Sequence, residues 1–355
     1  MQPSSSSKTK NIADYWMIPS TVQPNSFVYK SLSSHSLNMV IGCHHRCSFC
    51  SVPETSTRKL VHKLTPFGVT DPDREWGQYA MVRPWDEKQF RVSLAKAEAT
   101  PPELLPADSN RAIIVSSTTD PYQVIRGADP DMTRELNAAL RESVRSALEI
   151  ILAESTMNVR VLTRSPLSSH DFDLFARFGT RLMFGMSVPT LNDKLARVYE
   201  PGAPSVTQRI RTLREAKARG LNIYVAVAPT YPECDEADLR QTLSTVATLN
   251  PLTVFHEPIN VRAKNADRID AEALRVGAKV NTSALRDRVT WRGYAISQLK
   301  MVERLAAEVG LSSRLHLWPD ASLGSKTAIS EQQDQGEYRS WLDRWWSRKS
   351  EWPTN

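Results

Sequence analysis

The chain has 355 residues, 41% hydrophobic and 24% charged, the balance of a globular protein with room for one large domain with appendages or two smaller ones. No apolar run approaches the roughly 20 residues that span a bilayer, which excludes a membrane-spanning class. The 45 Lys and Arg against 39 Asp and Glu leave a net charge of +6 and a pI near 9.1, which permits nucleic acid as a partner without demanding it.

Residues 1–30 are rich in Ser, Thr and Pro and lack an apolar period, so they are expected to form a flexible arm. They also lack the apolar core of a secretory signal, which makes the cytoplasm the expected compartment. Short runs rich in Val, Ile and Leu then alternate with amphipathic segments. Strands are predicted at 37–42, 111–117, 159–165, 181–188, 222–229 and 251–258, in the continuous apolar style of strands buried on both faces of a parallel sheet.

The segment 52–106 predicts a short strand around "YAMVRP" and a helix after Asp86. Helices are predicted at 132–155, where Leu136, Leu140, Val144, Leu148 and Ile151 share a face, and at 205–219, which Gly220 closes. Beyond about residue 270 helix patterns dominate, with one more short strand at "RLHLW" and a Trp-bearing final helix. About six strand–helix units suit a partial (β/α)6 TIM-like barrel over 31–268, with a mainly helical C-terminal extension over 269–355. A doubly wound α/β sheet is the alternative.

The chemistry concentrates in "GCHHRCSFC", where Cys43, Cys47 and Cys50 are spaced CxxxCxxC directly after the first predicted strand. Thiols this crowded do not make ordinary structural disulfides; they argue for a metal or redox centre. Two readings stand. His44, His45 or a distant His completes a Cys3His zinc site, which makes the protein a zinc-stapled binding module. Alternatively, the thiolates hold three irons of a 4Fe-4S cluster and leave the fourth open. Zinc sites usually come as two separated ligand pairs, and the only other cysteine, Cys234, is isolated.

CxxxCxxC after the first strand of a six-fold βα chain resembles the radical S-adenosylmethionine superfamily. That resemblance implies an enzyme that uses a 4Fe-4S cluster and S-adenosyl-L-methionine to generate a 5'-deoxyadenosyl radical, which abstracts hydrogen from a substrate. It also implies an external electron donor, such as a flavodoxin or ferredoxin. "STTDPYQ" and "YEPGAPSVTQRIRTLREAKARGLNIYVAVAPTYP" further resemble the spore photoproduct lyase branch and its non-spore relatives.

Carried over to this chain, the resemblance makes Cys43, Cys47 and Cys50 the cluster ligands. It places Thr119, Arg164 and Ser187 against the cofactor, with Asp120, Tyr122 and Gln123 shaping the same rim. Arg164 stands where the lyases have Lys; it keeps the charge and offers a bidentate fork to a carboxylate. Glu257, Asn260 and Arg262 follow the sixth predicted strand and form an expected substrate rim. Cys234 follows the fifth and is the candidate hydrogen donor.

Two departures bear on the substrate. Where the lyases carry a donor cysteine in the second-strand motif, this chain reads Ser116, Ser117 and Thr118, and tyrosines around the third cluster cysteine are replaced by Phe49 and Ser51. Repair of a thymine photoproduct is therefore not the expected reaction. The substrate is unassigned, with nucleic acid the first candidate, and a non-catalytic cluster-bearing partner or sensor is a further alternative.

Overall fold

β-branched and aliphatic runs too short for helices become strands, and a computed structural model places them in two sheets. It describes residues 11–353 apart from 26, 28 and 263; residues 1–10 of the expected arm lie outside the described residues. The strands are β1 (Ile12–Tyr15), β2 (Val22–Pro24), β3 (His35–Leu37), β4 (Val40–Gly42), β5 (Tyr79–Val82), β6 (Ala112–Val115), β7 (Asn158–Thr163), β8 (Leu182–Ser187), β9 (Ile223–Thr230), β10 (Thr253–Pro258) and β11 (Leu315–Leu317).

The larger sheet runs β11-β10-β9-β8-β7-β6-β3-β2, and every pairing is parallel except the antiparallel β2–β3 pair at one edge. Helices separate the parallel strands, among them Pro130–Glu154, Val206–Ala218, Glu236–Thr248 and Arg288–Glu308. Side chains of Asp129, Ser205, Asp235 and Asp287 accept backbone N–H bonds at their first turns. The result is the partial (β/α) barrel expected, open between β11 and β2.

Two expectations are corrected. The predicted strand 37–42 is two strands: β3 belongs to the large sheet, whereas β4 joins β1 and β5 in a three-stranded sheet beside it. The break falls at Asn38, whose Oδ1 accepts hydrogen bonds from Thr118 N (3.0 Å) and Thr118 Oγ1 (2.9 Å), holding the chain against the end of β6. The described part of the arm is also ordered into sheets, because Trp16 and Val22 are buried and anchor β1 and β2.

Alternation along each strand sorts side chains between two cores. Val159, Val161, Phe184, Met186, Val225, Val227 and Val254 pack outward against the helices. Leu162, Met183, Tyr224, Ala226, Ala228 and Phe255 form a separate interior core with Trp318, which follows β11. At the floor of that interior Arg160 is fully buried without a carboxylate. Its Nε donates to Leu32 O at 2.9 Å, and its guanidinium lies 4.8, 5.4 and 4.9 Å from the rings of Tyr224, Phe255 and Trp352.

Gly185 lies between Met183 and Ser187 on this inner row, and a Cβ there would stand 2.3 Å from the Tyr224 ring. Tyr224 is fixed by its hydroxyl, which donates to Val161 O at 3.0 Å, so it has little room to yield. Gly185→Ala is expected to destabilise the fold by about 1–3 kcal/mol, read as a lower urea midpoint at unchanged slope.

Candidate active site

The cysteine loop follows Gly42, whose φ of +87° and closeness to Tyr79 exclude a side chain: a Cβ would sit 2.2 Å from Tyr79 O. From there the loop has no regular structure, so its backbone polar groups must find partners elsewhere. His44 N donates to Gln123 Oε1 (2.7 Å), Gly202 N donates to His45 O (2.9 Å), and Ser48 N donates to Tyr199 O (2.8 Å). Arg268 donates from Nε to Ser48 O (2.9 Å) and from Nη2 to Cys50 O (2.6 Å). Segments distant in sequence thus hold the loop, and Cys43, Cys47 and Cys50 line one cavity of about 590 Å³.

The three thiols are free of disulfides. Burial pushes the Cys43 thiol up to about 12, with the nearby Asp120 carboxylate adding to the rise. Burial also raises Cys47 and Cys50. They are held as protonated thiols, which a metal must displace proton by proton.

Arg164 and Ser187, at the ends of β7 and β8, line the same cavity, as do Thr119 and Asp120. Thr119 Oγ1 and Ser116 Oγ are buried there without a hydrogen-bond partner among the described residues. Asp120 is fully engaged: it accepts from Thr163 Oγ1 (2.7 Å), Arg164 N (2.7 Å) and Tyr122 N (2.9 Å), and His45 Nε2 lies 3.0 Å away. Burial acts to raise its pKa, but His45 and these donors outweigh it and hold the carboxyl down to about 2.

Arg164 Nε donates to Glu200 Oε1 at 2.8 Å, and Glu200 Oε2 also pairs with Arg209. Burial again opposes ionisation, yet the two guanidiniums bring Glu200 down to about 2. Glu257, Asn260 and Arg262 line the same cavity. Glu257 pairs with Lys30 (2.7 Å), which lies over the Trp318 ring, and Arg262 pairs with Asp320 (2.6 Å).

Three of the residues singled out in the sequence lie elsewhere. Gln123 stands behind the loop and clamps it. Tyr122 is turned outward, its hydroxyl donating to Asp171 Oδ2 at 2.9 Å. Cys234 does not reach the cavity: it is fully buried in the helix-facing core, its Sγ 3.9 Å from Pro189 O. The outward phase of that loop decides its place. Sequence reading missed Glu200, Gly202, Lys30, Trp318 and Asp320. The "YEPG" at 199–202 carried a signal, an acid and a glycine between two helix patterns.

His44 Nδ1 accepts from Arg126 N (3.0 Å) while its Nε2 is buried without a hydrogen-bond partner among the described residues, and His45 Nε2 lies 3.0 Å from Asp120. Among the described residues no three His, Cys, Asp or Glu side chains converge on one point as ligands of a single ion would. Three thiols spread around one loop suit a cluster, which takes each thiolate on a different iron.

Comparisons with known proteins bear on this geometry. The family model of the radical SAM superfamily matches residues 37–246. An uncharacterised protein of Acidianus two-tailed virus is 29% identical over 277 residues, covering 74% of this chain and 81% of that one. An uncharacterised protein of Methanocaldococcus jannaschii is 22% identical over 233 residues, covering 65% and 72%. Among solved structures, a variant of spore photoproduct lyase is similar with a TM-score of 0.59 at 14% identity, covering 86% of this chain and 80% of that one. The lyase complexed with dinucleoside spore photoproduct gives 0.56 at 15% identity, covering 80% and 76%. At such identities the likeness speaks for the fold.

A Cβ at Gly202 would stand 2.2 Å from His44 O and 2.9 Å from His45 O, so the clamp needs glycine there. In the metal-free protein Gly202→Ala is expected to loosen the loop and speed modification of Cys43, Cys47 and Cys50 by a disulfide reagent several-fold. An unchanged rate would show that the loop holds without this contact.

Proposed function

The chain belongs to the radical S-adenosylmethionine superfamily, and from that premise we propose that Cys43, Cys47 and Cys50 hold its 4Fe-4S cluster while Thr119, Arg164 and Ser187 bind its S-adenosylmethionine. The observation that carries this assignment is the convergence of three thiols, a guanidinium and two hydroxyl side chains on one cavity, with Thr119 Oγ1 left unpartnered. When bound, the cluster and cofactor supply a 5'-deoxyadenosyl radical, which takes a hydrogen atom from the substrate.

The chain's own residues bind, orient and exclude water. Arg164 spends Nε on Glu200 and offers its Nη donors to the cofactor's carboxylate. Thr119 and Ser187 supply hydroxyls to its amino or ribose groups. Asp120 touches the cofactor less than it shapes the site, because its oxygens already fix His45 and the Arg164 backbone. The electron comes from an external donor, for which a flavodoxin or ferredoxin is our assignment.

The substrate sits over Glu257, Asn260 and Arg262, with Lys30 and Trp318 beside them. Nucleic acid is the substrate class to test first, supported by the net charge of +6 and by the fold shared with lyases whose structures hold a dinucleoside photoproduct. Thymine photoproduct repair is set apart from this reading. Among the described residues, only the three loop cysteines bring thiols to the cavity. Ser117, where the lyases have the donor cysteine, has its Oγ tied to Asn38 (3.4 Å).

Anaerobic reconstitution with iron and sulfide is expected to give a brown protein that releases 5'-deoxyadenosine when reduced in the presence of the cofactor. Cys47→Ala is expected to lose both properties; release equal to the unaltered protein would sink the cluster assignment. With a dinucleoside spore photoproduct added, mass analysis is expected to find 5'-deoxyadenosine without repaired thymines. Repair at more than trace level would show that a hydrogen donor other than a cavity-lining thiol operates.

A further inference from the structure

We infer that Glu200 is a positioning residue for the cofactor's carboxylate, acting through Arg164; the inference rests on the assignment of Arg164 above. Glu200 closes the helix Asp193–Tyr199, and its side chain has no solvent exposure. Its two oxygens serve two guanidiniums. Oε1 accepts from Arg164 Nε at 2.8 Å, and Oε2 pairs with Arg209.

Arg209 is consumed by the protein. Its Nη1 donates to Ser187 O (3.1 Å), and its Nε and Nη2 donate to Pro204 O (3.1 and 2.8 Å). Arg164 is different: Glu200 holds only its Nε. Its backbone N is fixed on Asp120 Oδ2 at 2.7 Å, and its guanidinium lies 5.8 Å from the centre of the Phe49 ring.

A planar fork gripped at its root and at one edge presents its other edge in a set direction. Without the Glu200 grip that edge is free to swing about the outer bonds of a long side chain, and the freedom is lost again on binding. One carboxylate divided between two guanidiniums also leaves positive charge incompletely balanced at Arg164. The other nearby carboxylate, Asp120, meets Arg164 through its backbone N, and His45 Nε2 lies 3.0 Å from it. A single ligand carboxylate completes the alternation of Arg209, Glu200 and Arg164.

Position is shared as well as charge. Tyr199 O and Gly202 N, on either side of Glu200, hold the cysteine loop. One short segment therefore sets the thiols through its backbone and the guanidinium through its side chain.

The test uses the full chain with its cluster reconstituted, and equilibrium dialysis of two labelled probes, S-adenosylmethionine and its decarboxylated analogue. Glu200→Gln is expected to weaken the intact cofactor by about tenfold, the worth of a misplaced charge-assisted hydrogen bond. The analogue, which lacks the carboxylate, is expected to bind the variant as it binds the unaltered protein, with the visible absorbance of the cluster unchanged.

Equal losses for both probes would reduce Glu200 to a structural role and overturn the inference, as would no loss for either. If Glu200→Gln does not load the cluster, Glu200→Asp makes the same comparison with the charge kept and the reach shortened. A loss confined to the intact cofactor supports the inference, and an unselective loss overturns it. Arg164→Ala separates the two levels: if it leaves the affinity for S-adenosylmethionine unchanged, the assignment of Arg164 itself fails.

Discussion

The site depends on a backbone problem solved at a distance. The loop from Cys43 to Cys50, with two buried thiols and one half-buried, forms neither helix nor strand, so no regular ladder pairs its backbone groups. Its peptide groups must therefore be satisfied by other segments, and three are recruited: residues 199–202 after β8, Gln123 after β6, and Arg268 in the helix Asn265–Val276. Each comes from a different βα unit, so the loop keeps its shape only when the barrel is assembled. Cluster binding and folding are thereby linked through hydrogen bonds to loop backbone groups rather than through the thiols alone.

The barrel interior shows how an apolar scaffold tolerates so much charge. Along the inner row of β7 the side chains read Arg160, Leu162 and Arg164, a cation at each end of one strand. The lower one is stabilised by aromatic rings, the Leu32 carbonyl and the Ser350 hydroxyl, with no carboxylate paired to it among the described residues, and burial brings its pKa down to about 10. The upper one is paired with Glu200. Burying either cation alone would cost several kcal/mol, so each is surrounded by fixed dipoles or charges. The difference fits their places: Arg164 lines the cavity, and Arg160 lies below it among rings.

Much of this was legible in the chain. The parallel strands β6 to β10 announced themselves because doubly buried strands need continuous Val, Ile and Leu, and the helix that starts after Ser205 and ends before Gly220 was equally readable. The CxxxCxxC spacing marked the loop, and the resemblance to the superfamily pointed to Arg164 and Ser187 beside it. What could not be read were contacts between segments far apart in sequence. Asn38 breaks a predicted strand because Thr118, 80 positions later, captures its side chain. Tyr122 and Gln123 lie beside Asp120 in sequence, yet a tight turn sends each in a different direction. Cys234 looked like a rim thiol only because loop phase is invisible to periodicity.

The cavity is built by two parts of the chain with different tasks. The wall that meets the cysteine loop comes from β6, β7 and β8, in the stretch 37–246 that matches the family model. Its polar groups are locked by Asp120, which accepts from Thr163 Oγ1 and Arg164 N, and by Glu200, which accepts from Arg164 Nε. The other wall is drawn from the end of β10, from Lys30 before β3, and from Trp318 and Asp320 after β11. Its ion pairs, Lys30 with Glu257 and Arg262 with Asp320, are partly solvent-exposed and join residues 227 and 58 positions apart. Pairs of this kind rearrange at little cost when a ligand arrives. The wall beside the cysteine loop is therefore the more firmly fixed of the two, and the other joins the end of β10 to residues before β3 and after β11.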